Sequence, residues 1–262
     1  MTKAAELFSS VPELNYQEMP PPIQVEEFRK TVFSRRSVRV FKQDPIPEAV
    51  VQDCLDLALL SPNSSNLQPW EFHWVRSAEQ KAKLIKYCLS QPAAATAAEL
   101  IVCIARTSTW KQNAAQMLKI FEQVRETKAA VVPESAVSYY QELVPFIYGQ
   151  GPLGILGWVK KLLFWGRGFI TATPREPTSK ADMNLWAAKT VALAAQTMML
   201  AFRAHGYDTC PLEGFDSSKV KKQLELPRDA FPVMIIAAGL RAKNGVYGPR
   251  VRFNRKQFIK EL

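Results

Sequence analysis

Leu100-Ile101-Val102-Cys103-Ile104-Ala105 is apolar without a break. Six such residues are short for a buried helix and rich in β-branched side chains, so the run reads as a central strand. Phe231-Pro232-Val233-Met234-Ile235-Ile236-Ala237-Ala238 reads as a second. Trp70-Glu71-Phe72-His73-Trp74-Val75, aromatic and β-favouring, reads as a third. Helical patterns separate these runs. One spans residues 25–33. Another follows Pro47, where Val50, Val51, Cys54, Leu55, Ala58 and Leu59 recur at helical spacing, and Ser61-Pro62 ends it. Others cover 78–89, 110–128, 134–147 and 181–204, the last closed by Gly206. The order is too irregular for repeated βαβ units. It implies an α+β fold in which helices cover a central sheet.

The chain has 262 residues, 47% of them apolar and 22% charged, enough for a substantial core. Its net charge is +10, which favours anionic ligands and surfaces. The basic residues are scattered, and no helix-turn-helix, zinc-finger or RRM signature occurs, so a nucleic-acid role is not expected. Cys54, Cys88, Cys103 and Cys210 have no CxxC spacing and read as reduced, buried thiols of a cytoplasmic protein. With two histidines and no His/Cys/carboxylate cluster, no metal site is expected. His73 reads as a packed strand residue and His205 as a helix-end cation. Residues 1–10 lack a basic patch followed by an apolar stretch, so no signal peptide is expected. Residues 1–24, with Pro20-Pro21-Pro22, read as an arm before a single domain over 25–262. The helix at 181–204 is apolar nearly all round and must be buried nearly all round, which a homodimer achieves more easily than a monomer.

Four polar segments remain. They are Ser34-Arg35-Arg36-Ser37-Val38-Arg39, the loop Ser61-Pro62-Asn63-Ser64-Ser65-Asn66-Leu67-Gln68-Pro69-Trp70, the turn Cys210-Pro211-Leu212-Glu213-Gly214-Phe215-Asp216, and Gly248-Pro249-Arg250-Val251-Arg252. Guanidinium forks with a serine hydroxyl suit a phosphate. A Glu-Gly turn lets backbone N–H groups approach a flat ligand. Together they describe a phosphorylated, ring-bearing cofactor.

In order and spacing these segments resemble the FMN-dependent nitroreductase family, over most of residues 25–253. The resemblance implies a three-layer sandwich with a mostly antiparallel sheet and an intertwined homodimer. It implies FMN as cofactor and NAD(P)H as co-substrate. Arg35 and Ser37 would hold the FMN phosphate with Arg250 and Arg252, and Arg36 would line the ribityl or phosphate region. Arg39 would approach the pyrimidine edge and tune the flavin, Glu213 and Gly214 would supply backbone contact near N5, and Pro211 and Leu212 before them would also bind the cofactor. Pro62, Asn63, Ser64, Asn66 and Gln68 would reach the flavin of the other subunit. No side chain would be catalytic, because N5 carries the hydride. The chain departs from the family before the strand at 100–105, where Gln91-Pro92-Ala93-Ala94-Ala95-Thr96 leaves only Gln91 for the ring.

The implied activity is ping-pong transfer of hydride from NAD(P)H to nitroaromatic or quinone-type acceptors. Reductive dehalogenation, or dehydrogenation within the same superfamily, is the alternative, and a non-catalytic flavin binder at the membrane periphery is a third. An apolar insertion at about 149–175 is the second departure. In residues 152–170, Trp158, Phe164, Trp165 and Phe169 alternate with Lys160, Lys161 and Arg167. This segment reads as a lid over the flavin or as a contact with a membrane surface. Its glycines are expected to fragment it, and its mid-run lysines exclude a spanning helix.

Overall fold

A computed structural model of the chain describes residues 18–262. The expected arm therefore lies mostly outside the described residues, and residues 18–24 are exposed. Four strands form one sheet: β1 Trp70–Trp74, β2 Glu99–Arg106, β3 Asp208–Leu212 and β4 Ala230–Gly239. Their order is β1-β2-β4-β3, and each neighbouring pair is antiparallel. The β2–β4 register slips between Cys103 and Ile104, opposite Val233. Pro232 stands at the slip, where the ladder tolerates a residue without an N–H.

The central strands are covered on both faces. Ile101, Cys103, Ala105, Ile236 and Ala238 join one core, and Leu100, Val102, Ile104, Ile235 and Ala237 join the other. This period-2 division is why both runs are apolar without alternation. Helices α1 Val25–Ser34 and α2 Glu48–Leu59 precede β1, and α3 Ala78–Tyr87 and α4 Pro92–Thr96 separate β1 from β2. After β2 come α5 Trp110–Thr127, α6 Glu134–Ser138, a π-helical turn Tyr139–Leu143, α7 Val144–Tyr148, α8 Ile155–Arg167 and α9 Lys180–Ala204. Helix α10, Ser217–Gln223, separates β3 from β4. The first core is capped by α2 and α9 through residues such as Val51, Cys54, Met198 and Phe202. The second is capped by α3, α4 and α10 through Leu84, Ala93, Ala94 and Val220. The result is an α+β three-layer sandwich with an antiparallel sheet.

Helix α9 starts at a capping box. Ser179 Oγ accepts from the Asp182 N–H at 3.1 Å, and the Asp182 carboxylate accepts from the Ser179 N–H at 2.9 Å. Met198 and Phe202 are fully buried, so truncating either to alanine costs about 2–5 kcal/mol. In the single chain α9 is not covered all round, since Leu185 and Leu193 remain half exposed on one stripe. It is the one helix among the described residues long and apolar enough to cross a membrane, yet its buried apolar residues all pack into the first core.

Two expectations need correction. The turn at 210–216 begins inside a strand, β3, whose Pro211 sits on the sheet edge. The segment at 149–170 is broken by glycine only at its start, where Gly151 and Gly154 take positive φ, because α8 then runs unbroken through Gly157 and Gly166.

Candidate functional site

The site is assembled along the free edge of β3. Residues just after α1 lie along that edge: Ser37 bridges Thr209 in parallel, and the Val38 N–H donates to the Thr209 carbonyl at 3.0 Å. Buried Asp208 at the start of β3 is bound by Arg241 at 2.5 Å and Arg203 at 3.1 Å. Arg241 also donates to the Ser34 carbonyl at 3.3 Å, tying the end of α1 to the sheet. The C-terminal segment closes over the same place. Arg36 Nη2 donates to the Gly248 carbonyl at 2.6 Å, and Arg250 Nη2 donates to the Phe33 carbonyl at 3.0 Å and to the Arg35 carbonyl.

Arg35, Arg36, Arg250 and Arg252 thus converge, and none pairs with a carboxylate among the described residues. Arg250 registers the crowding. Burial first, then the like charges of Arg252, Arg35 and Arg36, hold its guanidinium below the usual range. Such a cluster is suited to an anion, which relieves the mutual repulsion and accepts forked hydrogen bonds.

Beside it, the Arg39 N–H donates to the Gly245 carbonyl at 2.7 Å, and its guanidinium lies 3.5 Å from Cys210 Sγ. Burial raises the Cys210 pKa, and the Arg39 charge opposes that rise. Pro211 and Leu212 end β3, and Glu213 and Gly214 follow directly after it. Gln91 Nε2 donates to the Gly214 carbonyl at 2.7 Å. Gln91 therefore braces the turn. A Cβ on Gly214 would meet only that nitrogen, at an ordinary 3.4 Å, so the space over the turn is open. Asp216 caps α10 by accepting from the Lys219 N–H at 3.0 Å.

The Pro62–Gln68 loop lies elsewhere. It leads into β1, on the opposite sheet edge, and adjoins the far end of β2, where the Arg106 N–H donates to the Pro69 carbonyl. Three strand spacings, roughly 14 Å, separate β1 from β3, and the two clusters also occupy opposite strand ends. The loop is held in a strained shape, with positive φ at Ser65, Asn66 and Gln68. The Gln68 N–H donates to Asn63 Oδ1 at 2.8 Å. Ser64 Oγ lies 2.9 Å from Tyr148 OH, Ser65 Oγ lies 2.6 Å from Tyr139 OH, and Tyr140 OH donates to the Ser65 carbonyl at 2.9 Å. These three tyrosines did not stand out in the sequence, because their recurrence at 134–148 follows only the helical packing pattern.

The histidines stand apart from both clusters. His205 Nε2 lies 2.7 Å from Asp53, and His73 Nε2 lies 3.6 Å from Glu71. A cavity of about 950 Å³ lies on the loop side, lined by Trp110, Tyr148, Leu153, Trp158 and Met183 among others.

Comparison with known proteins agrees with this architecture. A 4-nitrobenzoate reductase of Pseudomonas putida is 25% identical, covering 72% of this chain and 74% of its own. An NADH dehydrogenase of Thermus thermophilus is 23% identical over 238 residues, covering 90% of this chain and 98% of its own. Among solved structures, the Bacillus subtilis protein ydfN superposes with a TM-score of 0.71 at 22% identity, over 91% of this chain and 100% of its own. A protein of Exiguobacterium sibiricum solved in complex with FMN gives 0.65 at 24% identity, over 90% and 97% of the two chains. A sequence profile described as the nitroreductase family matches residues 32–240. The chain belongs to the nitroreductase family.

Proposed function

We propose that the protein is an FMN-dependent oxidoreductase that passes electrons from NAD(P)H to nitroaromatic or quinone-type acceptors. The observation that carries this reading is the cluster of Arg35, Arg36, Arg250 and Arg252, uncompensated by carboxylates among the described residues. Its donor set fits a phosphate monoester, and the open Gly214 turn beside it fits a flat ring. FMN, when bound, supplies the hydride-accepting and hydride-donating chemistry.

The chain's own groups bind and orient. The four arginines and the Ser37 hydroxyl hold the phosphate. Arg39 presents a fixed positive charge toward the ring, which favours the reduced, anionic form. Gln91 fixes the turn that offers backbone at Gly214. In this reading donor and acceptor occupy one cleft in succession, which is a ping-pong order.

The site is completed by a second copy of the chain. Pro62, Asn63, Ser64, Asn66 and Gln68 stand at the opposite corner of the sheet, so a cofactor on the arginine cluster meets this loop from a partner. The half-exposed Leu185 and Leu193 on α9 offer an apolar stripe for the contact. All four cysteines are buried and unbonded, which suits a reducing cytoplasm.

The test is the visible spectrum of the purified protein, followed by anaerobic addition of NADPH or NADH. A yellow protein that bleaches supports the reading, and a colourless protein that does not take up added FMN rejects it.

A further inference from the structure

Helix α8 is built inside out for a helix on a water-facing surface. Its buried positions are Gly157 and Lys160, whereas Trp158, Leu162 and Trp165 are 69%, 61% and 62% exposed. Trp158, Leu162, Trp165 and, just past the helix end, Phe169 recur at i, i+4, i+7 and i+11, so they share one outward stripe. The inward face is clamped. Lys160, fully buried, donates to the carbonyls of Phe146 at 3.2 Å, Ile147 at 2.7 Å and Pro177 at 3.3 Å, which uses all three ammonium protons. A Cβ on Gly157 would stand 2.2 Å from the Thr178 carbonyl oxygen, so only glycine allows this close approach. The polar clamp holds the apolar stripe outward.

Charge selects what the stripe meets. Residues 143–175 contain Lys160, Lys161, Arg167 and Arg175 and no carboxylate. Lys161 lies 6.0 Å from the Trp158 ring, at the flank of the stripe. Lys111, Lys180 and Arg228 line the adjoining cavity with Lys161. Glu176 and Asp182 line a pocket with Lys161, Phe164, Trp165 and Arg175, and Asp229 lies in the larger cavity. Asp182 is taken up by Thr178 and Ser179, and Asp229 by Arg106.

We propose that α8 docks the protein onto an anionic lipid bilayer, lying in the headgroup plane. Trp158, Leu162, Trp165 and Phe169 enter the acyl boundary, and Lys161 with its neighbouring cations meets lipid phosphates. This contact needs neither flavin nor catalysis, so it stands or falls apart from the activity assigned above.

The experiment is co-sedimentation of the full chain with phosphatidylcholine vesicles, with and without phosphatidylglycerol. The expected result is binding to the phosphatidylglycerol vesicles, reduced by salt, with little on phosphatidylcholine alone. Trp158→Ser/Trp165→Ser loses roughly tenfold or more of that partitioning at an unchanged Tm. Leu162→Glu, a single exposed change, reads the same contact if the double variant folds poorly. Failure of the wild type to bind phosphatidylglycerol vesicles overturns the proposal, as does wild-type partitioning by both variants. Light scattering covers the rival occupant: halving of the solution mass in either variant assigns the stripe to a second copy of the chain and also overturns the proposal.

Discussion

Arg36 donates a hydrogen bond to the carbonyl of Gly248, 212 positions further along the chain, at 2.6 Å. This bond brings the segment after α1 and the C-terminal segment to one place, and so gathers the guanidiniums of Arg35, Arg36, Arg250 and Arg252.

Arg250 and Arg252 separate binding from folding. Arg252 donates to the neighbouring Val251 carbonyl, whereas Arg250 holds the Phe33 and Arg35 carbonyls. Arg252→Ala is expected to weaken FMN binding roughly tenfold or more at an unchanged Tm, the loss of about one charge-assisted contact. Arg250→Ala should lose flavin and lower Tm together. Fluorescence titration with FMN and thermal melts of the apoprotein measure both. Full flavin retention in both variants removes the phosphate assignment.

Arg39→Ala should act on chemistry more than on affinity. Its guanidinium lies beside Cys210 rather than within the cluster around Arg250. The expected outcome is a lower flavin midpoint potential and slower reduction by NAD(P)H in stopped flow, with FMN affinity changed only a few-fold. A potential equal to wild type contradicts the placement.

Because the arginine cluster and the Pro62–Gln68 loop occupy opposite corners, defects in the two should complement. An Arg250→Ala/Arg252→Ala chain and an Asn66→Ala/Gln68→Ala chain are each expected to be poorly active. Unfolded and refolded together in equal amounts, they should regain about a quarter of wild-type sites, since half the dimers are mixed and each carries one intact site. No recovery in a mixture that forms mixed dimers would show that loop and cluster do not share a cofactor.

Asp229 carries a pH dependence. Burial raises its pKa, but the hydrogen bonds and charge of Arg106 and the bonds from Ser108 outweigh it and leave the carboxyl below its ordinary 3.8. The folded value is the lower one, so the stabilisation is fully present above about 3.8 and is lost as pH falls through the folded value. Asp229→Asn should therefore cost about 1–3 kcal/mol at pH 7 and progressively less below pH 4. Urea melts across pH 2–7 read this directly, and a cost independent of pH contradicts it.

Lys160 should prove structural. Replacing it with methionine leaves three carbonyls without their donor and should cost about 1–3 kcal/mol. The loss should open α8 first, seen as faster amide exchange at 155–167 than in the sheet. Unchanged exchange would show that the clamp contributes nothing.

Much of this architecture could be read in advance, for identifiable reasons. The two central strands were legible because burial on both faces removes every polar position from them. Helix α9 was legible from length and its Gly206 stop. Strand β3 was not, since Cys210–Asp216 with its Pro211 read as a turn, and an edge position excuses the missing N–H. Helix α8 was not, since Gly157 counts against a helix by propensity and is required by the Thr178 carbonyl. The tyrosines at 139, 140 and 148 were invisible as partners of the Pro62–Gln68 loop, because nothing local in the chain records contacts 74–84 positions apart.

The amino-acid sequence by itself determined the layered α+β fold and the family. Periodicity, composition and motif order are properties of the chain in one dimension. Only the tertiary structure decided that the arginines of both ends meet, that the serine–asparagine loop stands at the opposite corner, and that α8 turns its lysine inward. Periodicity reports which side chains share a face. Which face meets protein and which meets solvent is settled by the partners that the rest of the fold brings up against it.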